Sequence, residues 1–268
     1  MHQLYQSVLE IMRQASQKII LPHYQNLRAG DVQEKSPGDY VTIADKLSEE
    51  FLTEKLTALL PGATIVGEEA VSENLEIMDS LNDELVWIID PIDGTGNFAN
   101  GKPLFGIIIA LSKSGKTMAG WLYEPLTDRI CHAEKGVGAY INGRRVMVKQ
   151  ISGNKPIAAL ATGFMTPDQR EAVLNRVNPK YEIVDIPRCA AEQYPRLVLG
   201  TNQISVFERT LPWDHAAGVL FLNEAGGKAA RWDGSPYLPG DGRTGMLGAS
   251  SPKLWEEAAD LLGDIFLV

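Results

Sequence analysis

Asp90 and Asp93 stand three residues apart in the stretch Trp87-Ile-Ile-Asp-Pro-Ile-Asp-Gly-Thr-Gly-Asn-Phe98, with Gly94 and Thr95 directly behind them. An acid pair, a proline, a glycine and a hydroxyl crowded together exceed what a structural turn requires. An unpaired carboxylate taken out of water costs several kcal/mol, so a cluster of them survives by protonating or by holding cations. Three further acids fall at the ends of expected elements: Glu68 after a short strand, Asp45 and Asp214 near helix starts. If the fold brings them together, they form an all-oxygen donor set, which selects a hard ion such as Mg²⁺ over zinc. His2, His23, His132 and His215 show no HxxxH or HxH spacing that argues otherwise. Taken singly, each acid also fits a helix cap or a solvated surface.

Other motifs carry less. Ser112 to Thr117 ends like a phosphate-binding loop, but Ala110 stands where that loop needs glycine and a strand follows instead of a helix. The stretch Asp90 to Thr95 resembles the Asp-x-Asp-Gly-Thr of aspartate-nucleophile phosphatases with one residue too many between the acids, and that reading stays a runner-up. No Gly-x-Ser-x-Gly elbow is present.

These residues need elements to position them. Leu85 to Ile89 predicts a buried strand that stops at Asp90-Pro91, where proline removes a ladder donor, so both acids lie where strand gives way to loop. Gly94 then turns the chain. Upstream, Leu4, Val8, Ile11, Ala15 and Ile19 predict an amphipathic helix that Pro22 ends or interrupts. The polar stretch Asp31 to Asp39, with its Pro37-Gly38 turn signal, predicts a mobile loop. Val41 to Asp45 leads into a helix that Pro61-Gly62 terminates, and a strand at Ala63 to Val66 delivers Glu68 and Glu69 into a loop. Downstream, Phe105 to Leu111, Thr117 to Tyr123 and Arg129 to Ala133 predict an antiparallel meander, and Ala139 to Val148 a hairpin around Asn142-Gly143.

From about Ser152 strands and helices alternate: strand Ile157 to Thr162, helix Pro167 to Val177, strand Glu182 to Ile186, helix Cys189 to Leu199, strand Gln203 to Phe207. A helix at Trp213 to Ala225 carries Asp214 in its first turn. Strands Lys228 to Trp232 and Met246 to Ala249 and a helix at Pro252 to Leu262 complete the pattern. This is a layered α/β chain, read as one domain over 1–268 with an N-terminal α+β lobe at about 1–150 and a C-terminal α/β lobe at about 151–268.

The 268 residues suffice for a substantial core, and 44% hydrophobic with 22% charged residues describes an ordinary soluble protein. A net charge of −9 weighs against direct binding to nucleic acid or an anionic membrane. It also means that an anionic substrate needs a bound cation to reverse the local field. Cys131 and Cys189 form no CxxC pair and are expected as buried thiols. Glu10 and Arg13 interrupt the first apolar pattern, and no run approaches the roughly 20 apolar residues of a membrane span, so a cytoplasmic protein is expected.

Five segments match one family in order: Asp39 to Asp45, Gly67-Glu68-Glu69, Trp87 to Phe98, Pro212 to Gly218, and Glu224 to Gly227. With them the chain resembles the inositol monophosphatase family of Mg²⁺-dependent, lithium-sensitive phosphatases, which includes fructose bisphosphatases, histidinol phosphatases and nucleotide 3′-phosphatases. The resemblance implies an αβαβα five-layer sandwich, usually a homodimer. It implies that Glu68, Asp90 and the Ile92 carbonyl hold one Mg²⁺, that Asp90, Asp93 and Asp214 hold a second, and that Glu68 binds a third, weaker ion. Asp45 and Thr95 would activate the attacking water, with Glu68 counted among the catalytic acids, and the Gly94 and Thr95 amides would hold the phosphate. The implied activity is hydrolysis of a small phosphate ester, of the inositol monophosphate or histidinol phosphate kind, without a covalent intermediate; some bacterial members also act as regulatory, RNA-associated proteins. Departures cluster on the leaving-group side, where Asp93 and Asp214 would be joined by Glu192, Glu208 and Arg209 in place of the inositol-contacting pattern.

Overall fold

The computed structural model describes residues 3–36, 38–149 and 155–266. The opening amphipathic pattern forms α1 (Tyr5–Ala15), and the chain passes through one π-helical turn, Ser16–Ile20, into the short α2 (Leu21–His23). Pro22 sits in the first turn of α2, directly after the widened turn, where its missing N–H is tolerated. The stretch expected as a mobile loop is instead an antiparallel pair, β1 (Val32–Ser36) and β2 (Asp39–Thr42). Pro37, half of the expected turn signal, lies outside the described residues. Thr42 then caps α3 (Ile43–Leu59): its hydroxyl accepts from the Ala44 N–H, while the Asp45 carboxylate accepts from the Thr42 N–H.

Strand β3 (Thr64–Gly67) pairs in parallel with β4 (Val86–Asp93), with α4 (Glu68–Glu73) and a 3₁₀ stretch at Leu75–Asn82 between them. Contrary to expectation, β4 runs through Pro91. Its ladder with β5 (Gly106–Lys113) slips between Asp90 and Asp93, and such an irregularity leaves a position where proline's missing donor does no harm. The helix α5 (Thr95–Ala99) lies between these strands. The expected meander is β5, β6 (Lys116–Glu124) and β7 (Arg129–Glu134), and the hairpin is β8 (Gly138–Ile141) with β9 (Arg144–Val146), turned by Asn142 and Gly143 at φ of 49° and 75°. These strands form one sheet in the order β3-β4-β5-β6-β7-β8-β9.

Alternate residues of this sheet enter two different cores. Trp87, Ile89, Ile107 and Ile109 pack against α1 and α3, whereas Ile88, Ile108 and Ala110 pack against helices of the second half. A sheet covered on both faces needs apolar residues at consecutive positions, which is why the run into Asp90 is continuous.

The second half is β10 (Ile157–Ala161), a 3₁₀ turn at Thr162–Phe164, α6 (Pro167–Val177), β11 (Glu182–Val184), α7 (Ala190–Leu199) and β12 (Ile204–Phe207). There follow α8 (Pro212–Glu224), β13 (Lys228–Ala230), β14 (Met246–Ala249) and α9 (Pro252–Phe266). The sheet order is β11-β10-β12-β14-β13, with β10 parallel to both its neighbours and β14 antiparallel to β12 and β13. Helices α7 and α8 share a core with both sheets, while α6 and α9 cover the outer face of the second. The layers are therefore αβαβα. The expected lobe boundary near 150 falls at 150–154, outside the described residues.

The middle layer is tight. A Cβ at Gly120 of β6 would lie 2.7 Å from the Ala217 Cα, and one at Gly218 would overlap the Tyr194 ring of α7. Gly218→Ala is expected to cost about 1–3 kcal/mol through overpacking, read as a lower Tm in thermal unfolding. An unchanged Tm would mean that α7 and α8 slide apart freely, contrary to this packing.

Candidate metal centre

Three acids converge between the two sheets. Asp90 and Asp93 come from the slipped end of β4 and Asp214 from the first turn of α8, and one oxygen of each lies within 4.8 Å of the others. Asp90 and Asp93 are buried, and Asp90 Oδ1 has no hydrogen-bond partner. Asp93 is held differently: its Oδ2 accepts from the Ala191 N–H at 2.6 Å and the Cys189 thiol at 3.0 Å, both at the start of α7. Gly94, at φ 84°, then turns the chain where a Cβ would lie 2.9 Å from the Leu104 carbonyl oxygen and 3.2 Å from the Cys189 Cβ, so only glycine fits. Thr95 Oγ1 lies 3.1 Å from Asp45 Oδ1 and 2.9 Å from the Ile92 carbonyl oxygen, and its one hydrogen serves one acceptor at a time. The other Asp45 oxygen accepts from both the backbone and the hydroxyl of Thr42.

Glu68 opens α4 and is not among the three clustered acids, and its carboxylate faces a lysine. Lys35 Nζ, carried by β1, lies 3.1 Å from Glu68 Oε1 and 3.0 Å from Glu69 Oε1. Glu49 of α3 fixes the same turn, accepting from the Glu69 and Ala70 N–H groups at 2.8 Å each. A Cβ on Gly67 would overlap the Glu49 carboxylate.

On the leaving-group side, the Glu192 carboxylate is held by Arg129 Nη2 at 2.5 Å and by Arg196 Nε at 2.8 Å, within an ion-pair network. Glu208 stays half-buried with Oε2 lacking any hydrogen-bond partner. Arg209 lies 4.3 Å over the Phe164 ring and 4.0 Å from Asp39 Oδ2 of β2. Sequence reasoning missed Lys35, Glu49 and Phe164; the first stood in an apparent loop, and the others sat inside or just after expected elements with no local signal. Cys189 was expected only as a buried thiol, which both cysteines are.

Burial is the largest influence on every one of these acids. It pushes Asp90 well above the usual carboxylate range, with Glu68, Asp93 and Asp214 adding repulsion. Asp93 is raised by burial and held back by its Ala191 and Cys189 hydrogen bonds; Asp214 is raised by burial and then by Asp93 and Glu68. Burial lifts Asp45 to about 7 against the opposing Thr42 hydrogen bonds, and lifts Glu69 to about 7 with help from Glu68. The residues fit a divalent ion: the donors are all oxygen, one buried oxygen is orphaned, and a cation relieves the repulsion that the fold has built.

Fold and site together define a layered α/β protein with three acids clustered where they could hold a cation. A sequence model of the inositol monophosphatase family matches residues 1–264, and the chain belongs to that family. It is 32% identical over 228 residues to a fructose-1,6-bisphosphatase/inositol-1-monophosphatase of Aquifex aeolicus, covering 83% of this chain and 84% of that one. It is 33% identical over 262 residues to Nus factor SuhB of Haemophilus influenzae, covering 93% of each. Among solved structures, the extragenic suppressor protein suhB from Bartonella henselae superposes with a TM-score of 0.81 at 26% identity, over 96% of this chain and 98% of that one. Among the described residues no helix is long and apolar enough to cross a membrane.

Two expectations follow. Acids with raised folded pKa values bind protons more tightly folded than unfolded, so in chelator the contribution of Asp45 and Glu69 to stability is full below about 4 and is lost as pH rises through about 7, while buried His215, depressed to about 3, acts in the opposite sense. Thermal unfolding in EDTA checks the sign: the Tm of Asp45→Asn relative to the unsubstituted protein should rise between pH 4 and 7, and a relative Tm that falls contradicts it. Separately, Lys35→Met leaves Glu68 and Glu69 without a counter-charge. The Tm in EDTA should fall, and the Tm gain on adding Mg²⁺ should grow, because the ion meets less competition. An unchanged Mg²⁺ response would show that the ammonium and the ion do not share these acids.

Proposed function

We propose that the protein is a Mg²⁺-dependent phosphomonoesterase acting on a small phosphorylated metabolite. The observation that carries this reading is the convergence of Asp90, Asp93 and Asp214, with an orphaned Asp90 oxygen, beside the Gly94–Thr95 turn. Glu68, Asp90 and the Ile92 carbonyl would hold one ion and Asp90, Asp93 and Asp214 another, with Glu68 available to a third. When bound, such ions supply Lewis acidity to the phosphoryl oxygens and to the attacking water.

The chain's own groups do the rest. The amides of Gly94 and Thr95, at the start of α5, suit the phosphoryl oxygens. The attacking water donates to Thr95 Oγ1, whose hydrogen points toward Asp45 Oδ1, so the water's proton drains to Asp45 as the new P–O bond forms and the ester P–O bond breaks. An acid lifted to about 7 is suited to accept a proton near neutral pH. With the Thr95 hydrogen on Asp45, the Ile92 carbonyl is left free of that contact and available to an ion, and the same orientation suits proton transfer. Glu208 and Arg209 flank the departing alkoxide. The family resemblance extends the reading to a cytoplasmic homodimer in which lobes of about 1–150 and 151–268 meet at the acids.

A regulatory role on the same fold is the second reading, favoured by the name Nus factor SuhB of a relative. Phosphate release separates the two. We expect release with Mg²⁺ that stops with chelator, and an Asp93→Asn rate about 100-fold lower or less still, the scale of losing one transition-state charge stabiliser. Folded protein that releases no phosphate in a metal-dependent way from inositol monophosphate, histidinol phosphate, fructose 1,6-bisphosphate or adenosine 3′,5′-bisphosphate would leave the regulatory reading standing.

A further inference from the structure

Helix α7 bears on Asp93 and on Asp214 in different ways. The Asp93 carboxylate accepts directly from the start of α7, at the Ala191 N–H and the Cys189 thiol. Asp214 rides on α8, and α7 reaches that helix at the next residue, where the Tyr194 hydroxyl lies 2.7 Å from His215 Nδ1. The other ring nitrogen, Nε2, lies 3.1 Å from the Arg209 carbonyl oxygen. A carbonyl only accepts, so Nε2 carries the hydrogen, and burial, which depresses His215 to about 3, keeps the ring neutral. Nδ1 is then an acceptor, and Tyr194 donates to it.

Tyr194 is 0% and His215 4% exposed, so no solvent competes for this bond. The same tyrosine meets α8 a second time, because its ring fills the space that a Cβ on Gly218 would need. His215 and Gly218 are three residues apart and share one face of the helix, so the Tyr194 ring limits how near α8 comes while its hydroxyl limits how far that face turns. Asp214, about 100° of helix before His215, turns with it. Phe207 packs against both rings, stacked on Tyr194 at 5.5 Å and edge-on to His215 at 4.9 Å. Apolar side chains would fill the same core space; a buried hydroxyl and imidazole that satisfy one another specify a single arrangement instead.

We infer that the Tyr194–His215 hydrogen bond positions the metal acids: it fixes the rotation of the first turn of α8, and with it the aim of the Asp214 carboxylate toward Asp90 and Asp93. Tyr194 and His215 are positioning residues, acting through Asp214. This rests on the metal-binding part of the proposed function, and its test reads ion binding rather than turnover. Calorimetry with Mg²⁺ on the full chain compares four variants, with the Tm of each measured in EDTA. Tyr194→Phe keeps the ring against Gly218 and removes only the hydroxyl, and its Mg²⁺ affinity should fall about 10-fold, the lower end of what losing an outer support to a metal ligand costs. His215→Leu should fall in the same way, whereas His215→Asn, whose amide oxygen can stand where Nδ1 stands, should bind Mg²⁺ more tightly than His215→Leu. Leu222→Ala, buried on the same helix, lowers the Tm through a cavity without touching this bond and should leave the affinity unchanged. The inference is overturned if Tyr194→Phe binds Mg²⁺ like the unsubstituted protein, if His215→Asn is no better than His215→Leu, or if Leu222→Ala loses affinity as Tyr194→Phe does. An unsubstituted protein that binds no Mg²⁺ would overturn the metal reading and this inference together, whereas those three outcomes overturn this inference alone.

Discussion

Like charges confined to a largely buried crevice are the constraint on which the rest of this structure depends. Two carboxylates about 4 Å apart repel by about 4 kcal/mol at the effective dielectric of a partly solvated site, and desolvation adds to that. The fold answers this acid by acid. Asp93 has a backbone amide and a thiol, Asp45 has Thr42, Glu49 has two helix amides, and Glu68 with Glu69 has Lys35. A hydrogen bond to a charged group contributes about 1.5–3 kcal/mol, so two of them offset roughly one repulsion. Asp90 receives no such help at Oδ1. The unanswered charge is thereby concentrated at one point between β4 and α8, and that is where a cation gains most.

Holding charges in such a place demands a rigid scaffold. The three acids belong to elements separated by more than a hundred residues, and what brings them together is the middle layer, where α8 lies against β6 through Gly120 and against Tyr194 of α7 through Gly218. Side chains larger than hydrogen at these positions would push Asp214 away from Asp90. The glycines therefore set the separation of the acids as much as the acids themselves do. Gly94 does the same locally, because α7 can reach Asp93 through Cys189 and Ala191 only if residue 94 has no side chain.

Much of this was legible in the chain. The double-sided burial of the first sheet shows as the unbroken apolar run before Asp90, and the alternation after residue 152 shows the second α/β layer. What was not legible is tertiary in origin. Proline alone predicts that β4 stops at Asp90; the ladder slip that lets it continue is a property of the β4–β5 pair. The strand β1 is mostly exposed and has no period-two apolar pattern, so it reads as loop. Helix α4 has only six residues, too short to show a period. Glu192 lies in a segment that departs from the family pattern, which suggested a pocket, but Arg129, which claims it, comes from the start of β7 and leaves no trace near 192.

The hairpin of β1 and β2 ties these threads together. Through Lys35 it neutralises Glu68 and Glu69 on the side where metal is expected, and through Asp39 it meets Arg209 on the side where the leaving group is expected. Its two side-chain holds, both beside the Ser36–Asp39 pair, are unequal. Lys35 is mostly buried between two carboxylates at about 3 Å, whereas Arg209 is exposed, Asp39 only half-buried, and the two are 4.0 Å apart, a contact that water and salt weaken to little. The hairpin is therefore anchored at the acids and free to yield beside Arg209. One short pair of strands thus carries both the counter-charge of Glu68 and Glu69 and the acid beside Arg209, so the two flanks of the acid cluster are joined by a single covalent element.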